Sequence, residues 1–215
     1  QISRACATSG LILAVQELAS LPLLMAGTDE QKQRWFPSLA SGEKLIAFAL
    51  TEAEAGSGVS AIRTSAGRDG DDYILSGSKR FISQGSVADL ITVFAVTDPM
   101  GPKTKRLSCF VVEVPTPGFS VARVEHKMGL RGSPTAELVF DGVRVPSANL
   151  VGAEGDGFDL AMRTLDRSRP GIAARRKMAV DRRTVARLSA SPDAACRRLR
   201  HLARAAGAPG AGGEH

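Results

Sequence analysis

The chain has 215 residues, of which 43% are hydrophobic, 23% charged and 5% aromatic, enough apolar content for one large or two small domains with a real core. Its three cysteines (Cys6, Cys109, Cys196) and three histidines (His126, His201, His215) are widely spaced with no C-x-x-C pair, so no metal site is expected. The net charge of +6 invites a nucleic-acid partner, but ten Lys and Arg against three acids lie from Gly171 onward, without interleaved aromatics to stack bases, and no nucleic acid is expected.

Near the N-terminus the longest apolar run is 11–15, between Arg4 and Glu17, far short of the roughly 20 residues a membrane helix needs. No membrane span is expected, nor a secretory leader, since no basic segment precedes an apolar stretch with a small-residue cleavage site. Unpaired cysteines point to a reducing, cytoplasmic setting.

Apolar residues recur at three- and four-residue steps over 2–20, predicting a helix that Pro22 interrupts. Thr28, three residues before Gln31, predicts a capped start for a second helix carrying Trp35 and Phe36, stopped by Pro37, with Gly42 closing the helical region. From Lys44 the texture changes to short Val-, Ile-, Phe- and Thr-rich segments between Gly, Asp and Pro, the pattern of a β domain. Strands 62–66 and 72–76 flank the hairpin dipeptide Asp69-Gly70. Further strands are predicted at 90–96, 107–114, 119–124 and 137–145, ended by Pro146, about seven in all and enough for a small β-barrel or sandwich.

After a loop at 152–157, Phe158, Leu160, Ala161, Met162 and Leu165 begin an amphipathic helix. From Asp159 to the end there is no Phe, Trp or Tyr, and 207–213 is Gly, Ala and Pro. Such a segment buries too little to offset an ordering cost of ~1–2 kcal/mol per residue, so a disordered or irregularly helical tail is expected. The expected fold is therefore α+β: a partial N-terminal helical domain at 1–45, a middle β-barrel at 46–146, the start of a C-terminal helical domain at 147–174 and a basic tail at 175–215.

Two segments carry candidate chemistry. Ala49-Leu50-Thr51-Glu52-Ala53-Glu54-Ala55-Gly56-Ser57 leaves a strand into a small-residue loop that offers N–H groups and hydroxyls to a closely approaching group. Lys79-Arg80-Phe81-Ile82-Ser83-Gln84-Gly85 again ends a strand, and residues two apart share a face. Phe81 then lies on a flat ring while Ser83 donates to its edge, or Phe81 is core and Ser83 points to solvent; spacing leaves both open.

In order along the chain, Asp29-Glu30-Gln31-Lys32 with Trp35, Phe48-Ala49-Leu50-Thr51-Glu52 with Ala55-Gly56-Ser57, Phe81-Ile82-Ser83, Lys127-Met128-Gly129-Leu130-Arg131, Phe140-Asp141-Gly142-Val143-Arg144-Val145-Pro146, Gly155-Asp156-Gly157-Phe158 and Asp166-Arg167-Ser168-Arg169-Pro170 resemble the acyl-CoA dehydrogenase family. The resemblance covers nearly all of 1–174. It implies FAD clamped between a middle barrel and a C-terminal helical bundle, with Phe48, Leu50, Thr51, Gly56, Ser57, Phe81 and Ser83 facing the flavin. It also implies acyl-CoA contacts from Ser57, Thr97, Asp166 and Arg169, electron transfer to a separate electron-transfer flavoprotein, and a homo-oligomer. The implied reaction is α,β-dehydrogenation of an acyl-CoA thioester, in which a Glu base takes the α-proton.

Three departures stand against the family pattern. Gly58 replaces the usual Asp, Phe81 and Ser83 replace the commoner Trp and Thr, and beyond Ala174 the family pattern stops. The region that supplies the Glu base is not recognisable, so no catalytic residue is assigned. The expectation is an incomplete, inactive version of the enzyme; the alternative is a non-catalytic flavin- or acyl-CoA-binding remnant.

Overall fold

The computed structural model describes the backbone of residues 2–190. Helices α1 (Ile2–Ala5), α2 (Ala7–Ala26) and α3 (Asp29–Ser41) precede eight strands, and α4 (Gly157–Ala190) follows them. The predicted first helix is broken at Cys6, whose backbone is extended. The short α1 lies close against α2 because residue 10 is glycine: a Cβ there would sit 2.0 Å from Ser3 Oγ.

Pro22 and Pro37 do not end their helices, contrary to the sequence expectation; both lie inside, in α2 and α3. A proline removes one helical hydrogen bond, which tertiary burial can outweigh. Leu21, Pro22 and Leu23 are all buried, and in this part of α2 the buried Thr92 hydroxyl donates to the Ala19 carbonyl at 2.8 Å. In α3, Trp35 and Leu39 are buried on either side of Pro37.

By length and composition α2 could cross a membrane, with 20 residues and a mean hydropathy of 1.6. The run of 11–15 understated this, because Ala, Ser and Gln interrupt a helix that stays apolar on average. Val15, Ala19 and Leu23 are nevertheless buried in this fold. The Gln16 side chain fastens α2 to the sheet, donating to the Leu39 and Lys44 carbonyls at 3.1 and 2.9 Å and accepting from Ile46 N–H at 3.1 Å.

The predicted capping box forms at α3: Gln31 N–H donates to Thr28 Oγ1 at 3.2 Å and Thr28 N–H to Gln31 Oε1 at 3.0 Å. Gln31 Nε2 also donates to the Ala148 and Leu150 carbonyls, tying α3 to the far end of the sheet. Thr28→Ala is expected to lower stability by ~1 kcal/mol, the usual worth of such a cap, as a shift in urea midpoint without a change in slope.

The strands are β1 (Ile46–Ala49), β2 (Ser65–Asp69), β3 (Asp72–Ser83), β4 (Leu90–Val96), β5 (Leu107–Glu113), β6 (Phe119–Val124), β7 (Thr135–Pro146) and β8 (Leu150–Val151). They form one mixed sheet in the order β6-β7-β3-β2-β4-β5-β8, with β1 pairing parallel to β4. The expected barrel is thus an open sheet. Closure would need the edges to pair, but β8 has two residues and most of β6 is exposed. Gly70, at φ 62, opens the β2–β3 turn as its dipeptide predicted.

The sheet carries a core on each side. One core includes Tyr73, Phe110, Leu138 and Phe140, with the Tyr73 and Phe110 rings 4.9 Å apart. The other joins the sheet to the helices through Leu23, Trp35, Ile46, Phe94 and Leu160.

In the C-terminal part expected to be disordered or irregularly helical, α4 has helical backbone through Ala190. The rest of the basic tail, 191–215, lies outside the described residues.

Candidate functional site

β3 departs from regular pairing where the second candidate segment begins. Its register with β7 shifts between Lys79 and Ile82, and Phe81 within this bulge has φ 60. A non-glycine residue in that region costs of order 1–3 kcal/mol and persists where surrounding structure enforces it. The bulge turns the Arg80 N–H away from β7 to donate to the Thr51 carbonyl at 2.8 Å. The end of β1 and the end of β3 are thereby brought side by side.

Between them, α2 and α4 lies a cleft of about 420 Å³. All seven residues assigned to the flavin side line it: Phe48, Leu50, Thr51, Gly56, Ser57, Phe81 and Ser83. Pairs three residues apart on each helix, Val15 with Leu18 and Met162 with Leu165, complete apolar walls, and Arg169 stands at the α4 side. The hydroxyls of Thr51, Ser57 and Ser83 make no hydrogen bond among the described residues. Phe81 is 56% exposed, with the Arg80 guanidinium 5.0 Å from its ring centre. Strain, exposure and an aromatic face together are unusual for a core residue, so the reading of Phe81 as core is not what the structure shows.

Of the four residues assigned to acyl-CoA, Ser57 and Arg169 line the cleft, and Thr97 and Asp166 do not. The Thr97 hydroxyl lies 2.7 Å from Ser108 Oγ, which accepts from Gly155 N–H at 2.9 Å, a link between strand and loop. Asp166 pairs with Arg169 at 2.7 Å on the exposed surface of α4, where solvent screens the attraction.

Behind the cleft lies a polar cluster that sequence reasoning missed. The Lys79 side chain is fully buried; its ammonium donates to Glu52 Oε1 at 2.8 Å and to the Leu50 carbonyl at 3.1 Å. The Glu52 carboxylate also accepts from Arg63 N–H at 2.8 Å, Thr64 N–H at 3.0 Å and Thr64 Oγ1 at 2.6 Å. Burial alone would raise the Glu52 carboxyl, but the Lys79 charge and these donors hold it below its usual range. Burial draws the Lys79 ammonium down to about 8, with Glu52 opposing. Nothing in the local pattern of either segment reveals the pair, because the partners are 27 residues apart.

Burial pushes the Cys109 thiol far up, so it is no nucleophile. No carboxylate is among the described residues lining the cleft.

Residues 1–43 match the acyl-CoA dehydrogenase N-terminal domain and residues 47–143 the acyl-CoA dehydrogenase middle domain. An acyl-CoA dehydrogenase of Bacillus subtilis is 48% identical over 175 residues, 81% of this chain and 46% of that protein. A structure described as the electron transferring flavoprotein of Acidaminococcus fermentans contains a chain that is 41% identical with a TM-score of 0.84, over 87% of this chain and 49% of that one. A glutaryl-CoA dehydrogenase from Mycobacterium smegmatis, solved in complex with FADH2, is 39% identical with a TM-score of 0.68, over 75% of this chain and 40% of that one. The chain spans about half the length of these proteins. With two successive domains matched in order and its fold shared with solved members, the chain belongs to the acyl-CoA dehydrogenase family.

Proposed function

We propose that the cleft at the ends of β1 and β3 holds the ring system of FAD, and that the chain provides the flavin side of an enzyme that dehydrogenates acyl-CoA thioesters. One observation carries this reading: seven residues from two distant segments converge on one apolar-walled cleft with an exposed aromatic and three unengaged hydroxyls. That donor set fits a flat heteroaromatic ring with polar edges.

FAD, when bound, supplies the hydride acceptor for a reaction in which the thioester loses an α-proton and a β-hydride. Phe81 would lie against the ring, and Thr51, Ser57 and Ser83 would donate to its edges. Val15, Leu18, Met162 and Leu165 would keep water from its apolar part. Arg169 and Ser57 would meet the anionic carrier of the acyl group, a guanidinium being suited to phosphate; for Thr97 and Asp166 a substrate role has no support from the cleft. The electrons would pass to an electron-transfer flavoprotein, in a cytoplasmic, homo-oligomeric enzyme. The domain boundaries that go with this reading are 45/46, 146/147 and 174/175.

Gly56, Ser57 and Phe81 are exposed, so a ring placed here keeps much of its surface wet in this chain. Weak binding is therefore expected. Titrating the purified chain into FAD should quench flavin fluorescence saturably, Phe81→Ala should weaken that quench, and the flavin should be lost on gel filtration. Absence of saturable binding, or binding indifferent to Phe81→Ala, would overturn the assignment of the cleft.

A further inference from the structure

We infer that Glu52 and Lys79 form a buried positioning pair that sets the spacing between the two cleft-lining segments, and through it the seat of the ring. The inference rests on the flavin reading of the cleft, but its geometry is independent of it.

Neither side chain lines the cleft, but Lys79 bonds to the carbonyl of Leu50, which does, and Glu52 adjoins Thr51, which does. The Lys79 ammonium holds the carbonyl of Leu50, whose neighbour Thr51 accepts from Arg80 N–H, and Arg80 precedes Phe81. The Glu52 carboxylate holds the segment at Arg63 and Thr64, just before β2, beside β3. Gly77, at φ 146, lets β3 approach that segment: a Cβ there would lie 2.7 Å from Thr64 Cα.

A buried ion pair is no better for stability than well-packed apolar groups of similar volume. What it supplies here is direction, since an ammonium shared between a carboxylate and a carbonyl fixes both distances. An apolar side chain at 79 could fill the space but not hold the Leu50 carbonyl. Loss of the pair should therefore loosen the contact between 50–52 and 79–81 specifically, while the rest of the sheet keeps its pairing.

The test uses the double variant Glu52→Gln/Lys79→Met, which leaves no buried unpaired charge and keeps an acceptor for Thr64. Thr64→Val, which deletes one donor to Glu52, serves as a milder second variant that should fold if the first does not. Amide hydrogen exchange read by NMR, without flavin, should show lost protection at Arg80 N–H in both, with protection retained across β4 and β5. FAD affinity should fall roughly tenfold in the double variant, as it does when groups that orient binding residues are removed, with a changed visible band shape of bound flavin. Wild-type protection at Arg80 in a folded variant would overturn the inference, whether or not flavin binds. Wild-type chain that fails to bind FAD, with Arg80 protection lost in the variants, would sink only the flavin reading.

Discussion

Mixed with FAD, an acyl-CoA and a dye acceptor, the 215-residue chain is expected to turn over at least ~10²–10⁴-fold more slowly than the Bacillus subtilis relative, the usual cost of lacking a positioned base. A thioester α-proton is weakly acidic, and its removal needs a carboxylate within hydrogen-bond reach. The described residues that line the cleft include none. Of the carboxylates next in sequence to lining residues, Glu52 is behind the cleft wall with its oxygens taken by Lys79, Arg63 and Thr64, and Asp166 pairs with Arg169 on the exposed face of α4. Held below its ordinary range, Glu52 is a poor proton acceptor at neutral pH. Glu17 lines a separate groove between α2 and α4. Turnover within tenfold of the relative would show that a base reaches the substrate from residues outside the described cleft wall.

Glu52→Gln should be the most destabilising conservative change in the chain, by ~3–5 kcal/mol at neutral pH, because it leaves the Lys79 charge buried beside a neutral partner. The pH dependence follows from the sign of the shift. The Glu52 carboxyl is lowered from 4.5 in the folded chain, so its contribution is fully present above about pH 4.5 and is lost as pH falls through the lower folded value. Wild-type stability should therefore drop in acid more steeply than that of the variant, and the gap between their urea midpoints should narrow from pH 7 to pH 3. A gap that is small at pH 7, or that widens in acid, would mean that the pair contributes nothing net to folding.

Much of the fold was legible because local rules dominate locally. The Thr28–Gln31 cap, Gly42 at the end of α3, the Asp69-Gly70 turn and the spans of β4 and β6 each follow from a few adjacent residues. Composition likewise separated helical, strand and basic segments. The seven cleft residues came from resemblance rather than spacing; the same-face argument for Phe81 and Ser83 assumed a regular strand, and the strand bulges there.

What only the tertiary structure decided depends on groups far apart in the chain. Pro22 and Pro37 remain helical because burial of their neighbours outweighs one lost hydrogen bond each. The sheet stays open because its terminal strands are too short or too exposed to pair, a property of the whole sheet rather than of any strand. Phe81 is strained and exposed because Arg80 bonds to Thr51 instead of β7. Lys79, an ordinary surface residue by type, is fully buried because Glu52 and the Leu50 carbonyl meet it there. The sequence, through its resemblance to the family, singled out the two segments; long-range hydrogen bonds such as Arg80 N–H to the Thr51 carbonyl bring them to one cleft.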